Sequence, residues 1–139
     1  MDKRKTRYGI VSPYTREFRM IETDEFDAAK LAAGIPPREC DHGKVTHDIA
    51  VCVYEYGLIE PKPGQAYFAL LGALYAGGAV LYAIDRDTGA TLDFEPDPLL
   101  MGTLVFFADA QEAEAAIQRR EVERPRTTVN GVVCWEWRP

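Results

Sequence analysis

Residues 66–84 carry no charge and are about long enough to cross a lipid bilayer as a helix. The first question for the fold is therefore whether this stretch spans a membrane or forms buried strands. Gly72, Gly77 and Gly78 interrupt this stretch, and its tyrosines are spread evenly instead of gathering at the two ends. Short apolar runs separated by glycines are typical of buried strands. The sequence therefore predicts two buried strands joined at residues 76–78, and no membrane span.

The rest of the pattern predicts an α+β fold, with about seven or eight mostly antiparallel strands and two helices. We expect the helices at residues 24–33, capped by Thr23, and at residues 110–120, capped by Asp109. The apolar run at residues 48–56 indicates a central strand, whereas residues 35–44 are typical of a loop. Asn-Gly at residues 130–131 predicts a hairpin between residues 127–129 and the final strand.

Length and composition are those of one globular domain, residues 1–139, in which residues 1–6 are expected to be frayed. Apolar residues make up 47% of the chain, which is enough to form a hydrophobic core. The formal net charge of -6 argues against general nucleic-acid binding, which needs clustered lysine and arginine.

The three cysteines, Cys40, Cys52 and Cys134, are odd in number and none are at CxxC spacing. The first residues lack the features of a secretory signal peptide. Free thiols in a reducing compartment explain both observations, so we expect a soluble, cytoplasmic protein without disulfides. Cys52 and Cys134 lie in apolar runs, which favours a role in core packing for both.

Cys40 and His42 share a polar segment, with His47 a few residues further on. These three side chains could bind zinc, although their spacing is not that of a zinc finger. Cys40 and His42 could also form a thiolate–imidazole pair, but no nucleophile motif surrounds Cys40. The pattern favours an ordinary polar loop, and the sequence predicts neither a metal ligand nor a catalytic residue.

Asp93, Glu95 and Asp97 alternate along a segment broken by prolines. If the segment is extended, the three carboxylates face one way and can bind a basic surface. The alternative interpretation is a solvated edge that prevents strand pairing. Together with Trp137, which shares a strand face with Trp135, these acidic residues are the predicted binding residues.

The chain contains no phosphate-binding glycine motif and no cofactor motif. In size, acidity and the lack of a catalytic pattern it is similar to accessory proteins of phages and mobile elements, a similarity that no residue motif carries. The sequence therefore predicts a non-enzymatic binding protein, such as an inhibitor, whose partner is another protein. The sequence leaves open whether the protein forms a homo-oligomer.

The alternative is a small enzyme that uses Tyr54, Glu55, His42 or His47. Glu55 would share the face of the buried strand residues, where burial would raise the pKa of its carboxyl and suit it to acid–base chemistry. Such an enzyme requires a pocket that holds a carboxyl and an imidazole together.

Overall fold

The computed structural model describes residues 5–36, 38–54, 63–124, 127–129 and 132–134. Their secondary structure consists of three helices, two sheets and a separate hairpin. The helices are α1 Phe26–Ala32, α2 Pro98–Met101 and α3 Ala110–Gln118. The strands are β1 Thr6–Ser12, β2 Glu17–Thr23, β3 Cys40–Lys44, β4 Ile49–Tyr54, β5 Tyr67–Leu70, β6 Ala73–Ala76, β7 Ala79–Ile84, β8 Thr91–Leu92, β9 Val105–Phe107, β10 Thr127–Val129 and β11 Val132–Cys134.

The larger sheet has six strands in the order β2-β1-β7-β4-β3, with β8 paired to the end of β7. Its pairings are all antiparallel. The central strand β7 pairs with β1 and with β4, and its partners there include Ile10 and Cys52, both opposite Val80. This strand is apolar along its first half because both of its faces are covered.

The smaller sheet has three strands in the order β6-β5-β9, again antiparallel. The strand β5 is its centre, and all four of its residues are buried. The third unit is the hairpin of β10 and β11, in which Thr127 lies opposite Cys134 and Val129 opposite Val132.

The core forms three clusters, which order the layers as α1, larger sheet, smaller sheet and α3. Ile10, Cys52 and Val80 of the larger sheet pack with Ala29 of α1. On the opposite face of that sheet, the alternating residues Val11, Val51 and Leu81 pack with Phe68, Leu70 and Phe94. The third cluster joins residues of the smaller sheet, such as Tyr67 and Phe107, to Ala113, Ala116 and Ile117 of α3.

The α+β class and the antiparallel sheets predicted from the sequence are confirmed. Residues 66–84, the uncharged stretch, form β5, β6 and β7. No helix in the described part of the chain has the length and apolar character needed to cross a lipid bilayer. The predicted frayed tip falls mostly on residues 1–4, which lie outside the described residues, and β1 begins at Thr6.

Three local features differ from what the sequence predicts. Residues 40–44 were predicted as loop but form the edge strand β3, which pairs along its whole length with β4. The first helix lies close to its predicted range, but Thr23 does not cap it, since its hydroxyl accepts from the N–H of Glu25, which is itself the N-cap residue. The short helix α2, which Asp97 caps, was not among the two helices predicted from the sequence.

Candidate functional site

Two of the predicted binding residues, Asp93 and Glu95, are held by the same residue of β1. The backbone N–H of Arg7 donates to Oδ1 of Asp93 at 3.0 Å. The guanidinium of Arg7 donates to Oε1 of Glu95 at 2.9 Å, and the Glu95 side chain is 72% exposed. The two carboxylates are therefore both tied to the beginning of β1, Asp93 through the Arg7 backbone and Glu95 through the Arg7 guanidinium.

Asp97, the third predicted carboxylate, caps α2. Its Oδ1 accepts from the backbone N–H of Leu99 at 3.0 Å. Leu99 itself is 84% exposed, the highest value among the large hydrophobic residues that are exposed in the described chain. A carboxylate and an exposed leucine thus stand next to each other on the first turn of the helix.

Phe94 fixes this segment to the fold. Its side chain is fully buried between the two sheets and meets Phe18 edge to face, with ring centroids 6.2 Å apart. Its N–H donates to the backbone carbonyl of Arg7 at 2.9 Å. Around this anchor, residues 91–99 are exposed except for Asp93, which is half-buried. We call residues 91–99 the acidic segment.

Other residues named from the sequence fall outside the described residues. These are Trp137 and Trp135 of the predicted binding strand and Glu55 of the alternative enzyme. Of the predicted binding residues, those of the acidic segment are the ones that lie within the described part of the chain.

The structure also brings together two side chains that the sequence had placed in a polar loop. Cys40 and His42 alternate on one face of β3, and Cys52 lies directly opposite His42 on β4. The Sγ atoms of Cys40 and Cys52 and a ring nitrogen of His42 all lie within 4.8 Å of one another. We call these three residues the Cys-His cluster. His47, the third donor considered from the sequence, lies in the turn between the strands and is not part of it.

The surroundings of His42 orient its ring. Nδ1 of His42 lies 2.7 Å from the hydroxyl of Tyr82, and Nε2 lies 3.9 Å from Sγ of Cys40. Phe26 of α1 stacks on the imidazole with ring centroids 5.7 Å apart. Partial desolvation of the ring, followed by the nearby Lys30 ammonium, lowers the pKa of His42. These contacts orient the ring, and the lowered pKa favours its neutral form.

Lys30 of α1 is a buried ammonium beside the cysteines. Its Nζ lies 3.7 Å from Sγ of Cys40 and 2.8 Å from the carboxylate of Asp27. The hydrogen bond to Asp27 raises the pKa of Lys30, so the ammonium stays charged.

Cys52 is fully buried, and burial followed by the proximity of Cys40 raises the pKa of its thiol to about 12. Neither Cys40 nor Cys52 forms a disulfide bond within the described residues.

The alternative enzyme requires a carboxyl and an imidazole in one pocket. A cleft of about 460 Å³ is lined in part by Asp41, His42 and Glu123. Because successive residues of a strand face opposite sides, the His42 ring, which packs on Phe26, lies on the other face of β3 from the Asp41 side chain. The cleft therefore does not bring imidazole and carboxylate together.

A second cleft, of about 380 Å³, lies between the end of α1 and the turns after β1 and β6. Tyr54, Tyr14 and Gln65 line it together with small and apolar residues, and the described part of its lining includes neither histidine nor carboxylate. Tyr54 is the last residue of β4, whereas His47 lies in the turn before that strand begins, so the length of the strand separates them. Within the described residues, the register places Tyr54 opposite Cys40 and on the same face of the sheet as His42, whereas His47 lies outside this group.

Comparison of the chain with protein-family models, with curated proteins and with solved structures finds no match. Its function is therefore inferred from its own residues and their arrangement.

Proposed function

We propose that this protein is a non-enzymatic binding protein, and that the acidic segment is the part of its surface that meets a protein partner. The observation that carries the proposal is the combination of exposure and fixed shape. The segment exposes Glu95 and Leu99, while the buried ring of Phe94 and the hydrogen bonds to Asp93 and Asp97 hold its backbone.

A surface of this kind suits protein binding for two physical reasons. A segment that is already ordered loses little conformational entropy when a partner arrives, so more of the contact energy appears as affinity. An exposed leucine supplies apolar area, and carboxylates nearby attract a basic partner and speed its approach. The partner we expect therefore has an apolar pocket bordered by lysine or arginine.

The net charge of -6 is consistent with such a partner. An acidic protein can occupy a basic, nucleic-acid-binding surface by presenting carboxylates where phosphates would lie. This is the way in which an accessory protein of a phage or mobile element would act as an inhibitor, and it needs no active site.

The test is affinity capture from a lysate of the cells that express the protein, with matched variants. Leu99→Ala and Glu95→Lys should each reduce recovery of the partner by about tenfold or more, as expected for contacts worth at least ~1.4 kcal/mol. Leu31→Ala and Glu17→Lys are the controls, since Leu31 is 65% exposed on α1 and Glu17 is exposed at the far end of β2. Equal recovery by all four variants would refute the proposal.

A further inference from the structure

The Cys-His cluster has the dimensions of a metal site. The strand register puts Cys40, His42 and Cys52 on one face of the larger sheet, and their donor atoms lie within 4.8 Å of one another. In a tetrahedral zinc site, sulfur and nitrogen ligands at about 2.3 and 2.0 Å from the metal are roughly 3.5 to 3.8 Å apart. The distance of 3.9 Å between Sγ of Cys40 and Nε2 of His42 is slightly longer than this range of ligand–ligand distances.

The hydrogen bond between His42 and Tyr82 is the kind that supports a metal ligand. When Nδ1–H donates to the Tyr82 oxygen, 2.7 Å away, the neutral ring presents the lone pair of Nε2. That nitrogen is on the side of Cys40. Ligating histidines almost always donate their second ring N–H in this way, which fixes the tautomer and the ring orientation.

The charges around the cluster also suit a divalent cation. Two thiolates neutralise Zn²⁺ formally, and the Lys30 ammonium is already neutralised by Asp27 at 2.8 Å. Binding would therefore leave no uncompensated charge in this partly buried place. The soft thiolate ligands disfavour Mg²⁺ and Ca²⁺, which take oxygen donors.

We propose that Cys40, His42 and Cys52 bind one Zn²⁺ ion, with Tyr82 as a positioning residue and a fourth position open to solvent. The open position follows from burial, since Cys52 is fully buried but His42 is exposed at the edge of the sheet. The metal enters from that side, and the two thiols lose their protons as it binds. This site is separate from the acidic segment and does not depend on the proposed binding role.

The test is a titration of the purified, reduced, full-length protein with Zn²⁺ in competition with a chromophoric chelator. We expect one ion per chain. Cys40→Ser and His42→Gln should weaken binding by more than about 100-fold, and Tyr82→Phe by about 10- to 100-fold, the usual effect of losing an outer partner. The matched controls are Cys134→Ser and His47→Gln, which change the remaining cysteine and histidine and should leave the affinity unchanged.

Two further measurements keep the result interpretable if a variant is unstable. Circular dichroism establishes that each variant is folded before its affinity is compared. Co²⁺ added to the wild-type protein should give the visible absorption of a tetrahedral ion and thiolate charge-transfer bands, and His42→Gln should alter both. Failure of the wild-type chain to compete with the chelator would overturn the proposal. So would zinc affinity that survives Cys40→Ser and His42→Gln, or that is lost in Cys134→Ser or His47→Gln.

Discussion

Arg7 holds Glu95 through its side chain, with 2.9 Å between Nη1 and Oε1, and Asp93 through its backbone N–H, at 3.0 Å. One residue of β1 thus orients two carboxylates of the acidic segment. Because the pair with Glu95 is largely exposed, it fixes the position of the carboxylate more than it stabilises the fold.

The first prediction follows from that exposure. Glu95→Gln should lower the free energy of unfolding by less than about 1 kcal/mol, the usual limit for an exposed ion pair. Urea denaturation monitored by circular dichroism measures the change. A larger loss would show that the pair is part of the fold, and Glu95 would then be a poor choice for a variant that tests binding alone.

The second prediction concerns the anchor of the segment. Phe94→Ala should cost about 3 to 5 kcal/mol, because the variant empties a fully buried aromatic site between the two sheets. Leu92→Ala, at a leucine of the same segment that is 46% exposed, should change stability by about 0.5 kcal/mol at most. Similar losses in the two variants would contradict the position of Phe94.

The third prediction concerns the contact between α1 and β7. A Cβ atom added to Gly78 would lie 1.9 Å from the carbonyl oxygen of Ala33, a backbone atom that cannot rotate away. Gly78→Ala should therefore destabilise the protein by at least about 1 to 3 kcal/mol. Gly43→Ala is the control, since its Cβ would meet a side chain only at 3.9 Å. Thermal unfolding of the two variants compares them, and an equal melting temperature would disprove the close approach.

The fourth prediction concerns pH. The Arg86 side chain, which hydrogen-bonds Asp48, holds the pKa of that carboxyl below its usual range. A lowered carboxyl pKa adds stability above the pKa of the unfolded chain, and that stability is lost as pH falls through the folded value. Asp48→Asn should therefore lower the melting temperature at pH 7, and the difference from wild type should vanish in acid.

Asp87→Asn is the control for the pH experiment, because Asp87 lies in the same turn as Arg86 but has no ion pair within the described residues. Its melting temperature should follow that of the wild type at every pH. A difference between Asp48→Asn and wild type that grows in acid would reverse the sign of the argument.

Local signals in the sequence predicted much of the fold. The Asp109 cap and the apolar stripe of α3 predicted that helix, and the Asp109 carboxylate accepts from the N–H of Glu112 as expected. Asn-Gly predicted the final hairpin with its pairing of residues 127–129 and 132–134. The edge strand β3 was missed because four of its five residues are exposed, so no apolar alternation marks it.

The Cys-His cluster shows why a site is harder to predict than an element. Cys40 and His42 were recognised as possible donors, but Cys52 was interpreted as core packing alone. Cys52 lies beside His42 only because β3 pairs with β4 in one particular register. Tyr82 reaches the same place because β7 pairs with the other side of β4. Contacts of this kind depend on strand pairing over long sequence separations, which a single sequence does not display. Had residues 40–44 been recognised as a strand that pairs with the next strand, Cys40 and His42 would have been placed beside Cys52.

Two of the three carboxylates of the acidic segment, Asp93 and Asp97, accept hydrogen bonds from backbone N–H groups. Reversing the charge of all three carboxylates would also remove the acceptors for the backbone N–H groups of Arg7 and Leu99. Such a variant would alter the shape of the segment together with its charge. Glu95 is the better position, because within the described residues its carboxylate bonds the guanidinium of Arg7 and no backbone N–H.

Binding through the acidic segment can be measured as the rate of association with the captured partner at increasing salt, for the wild type, Glu95→Lys and Glu17→Lys. We predict that association of the wild type slows as salt rises, because exposed charges further apart than about 10 Å are screened at roughly 0.1 M. Glu95→Lys should associate more slowly and depend less on salt, whereas Glu17→Lys should behave like the wild type. Identical association rates for the two lysine variants at every salt concentration would contradict binding through the acidic segment.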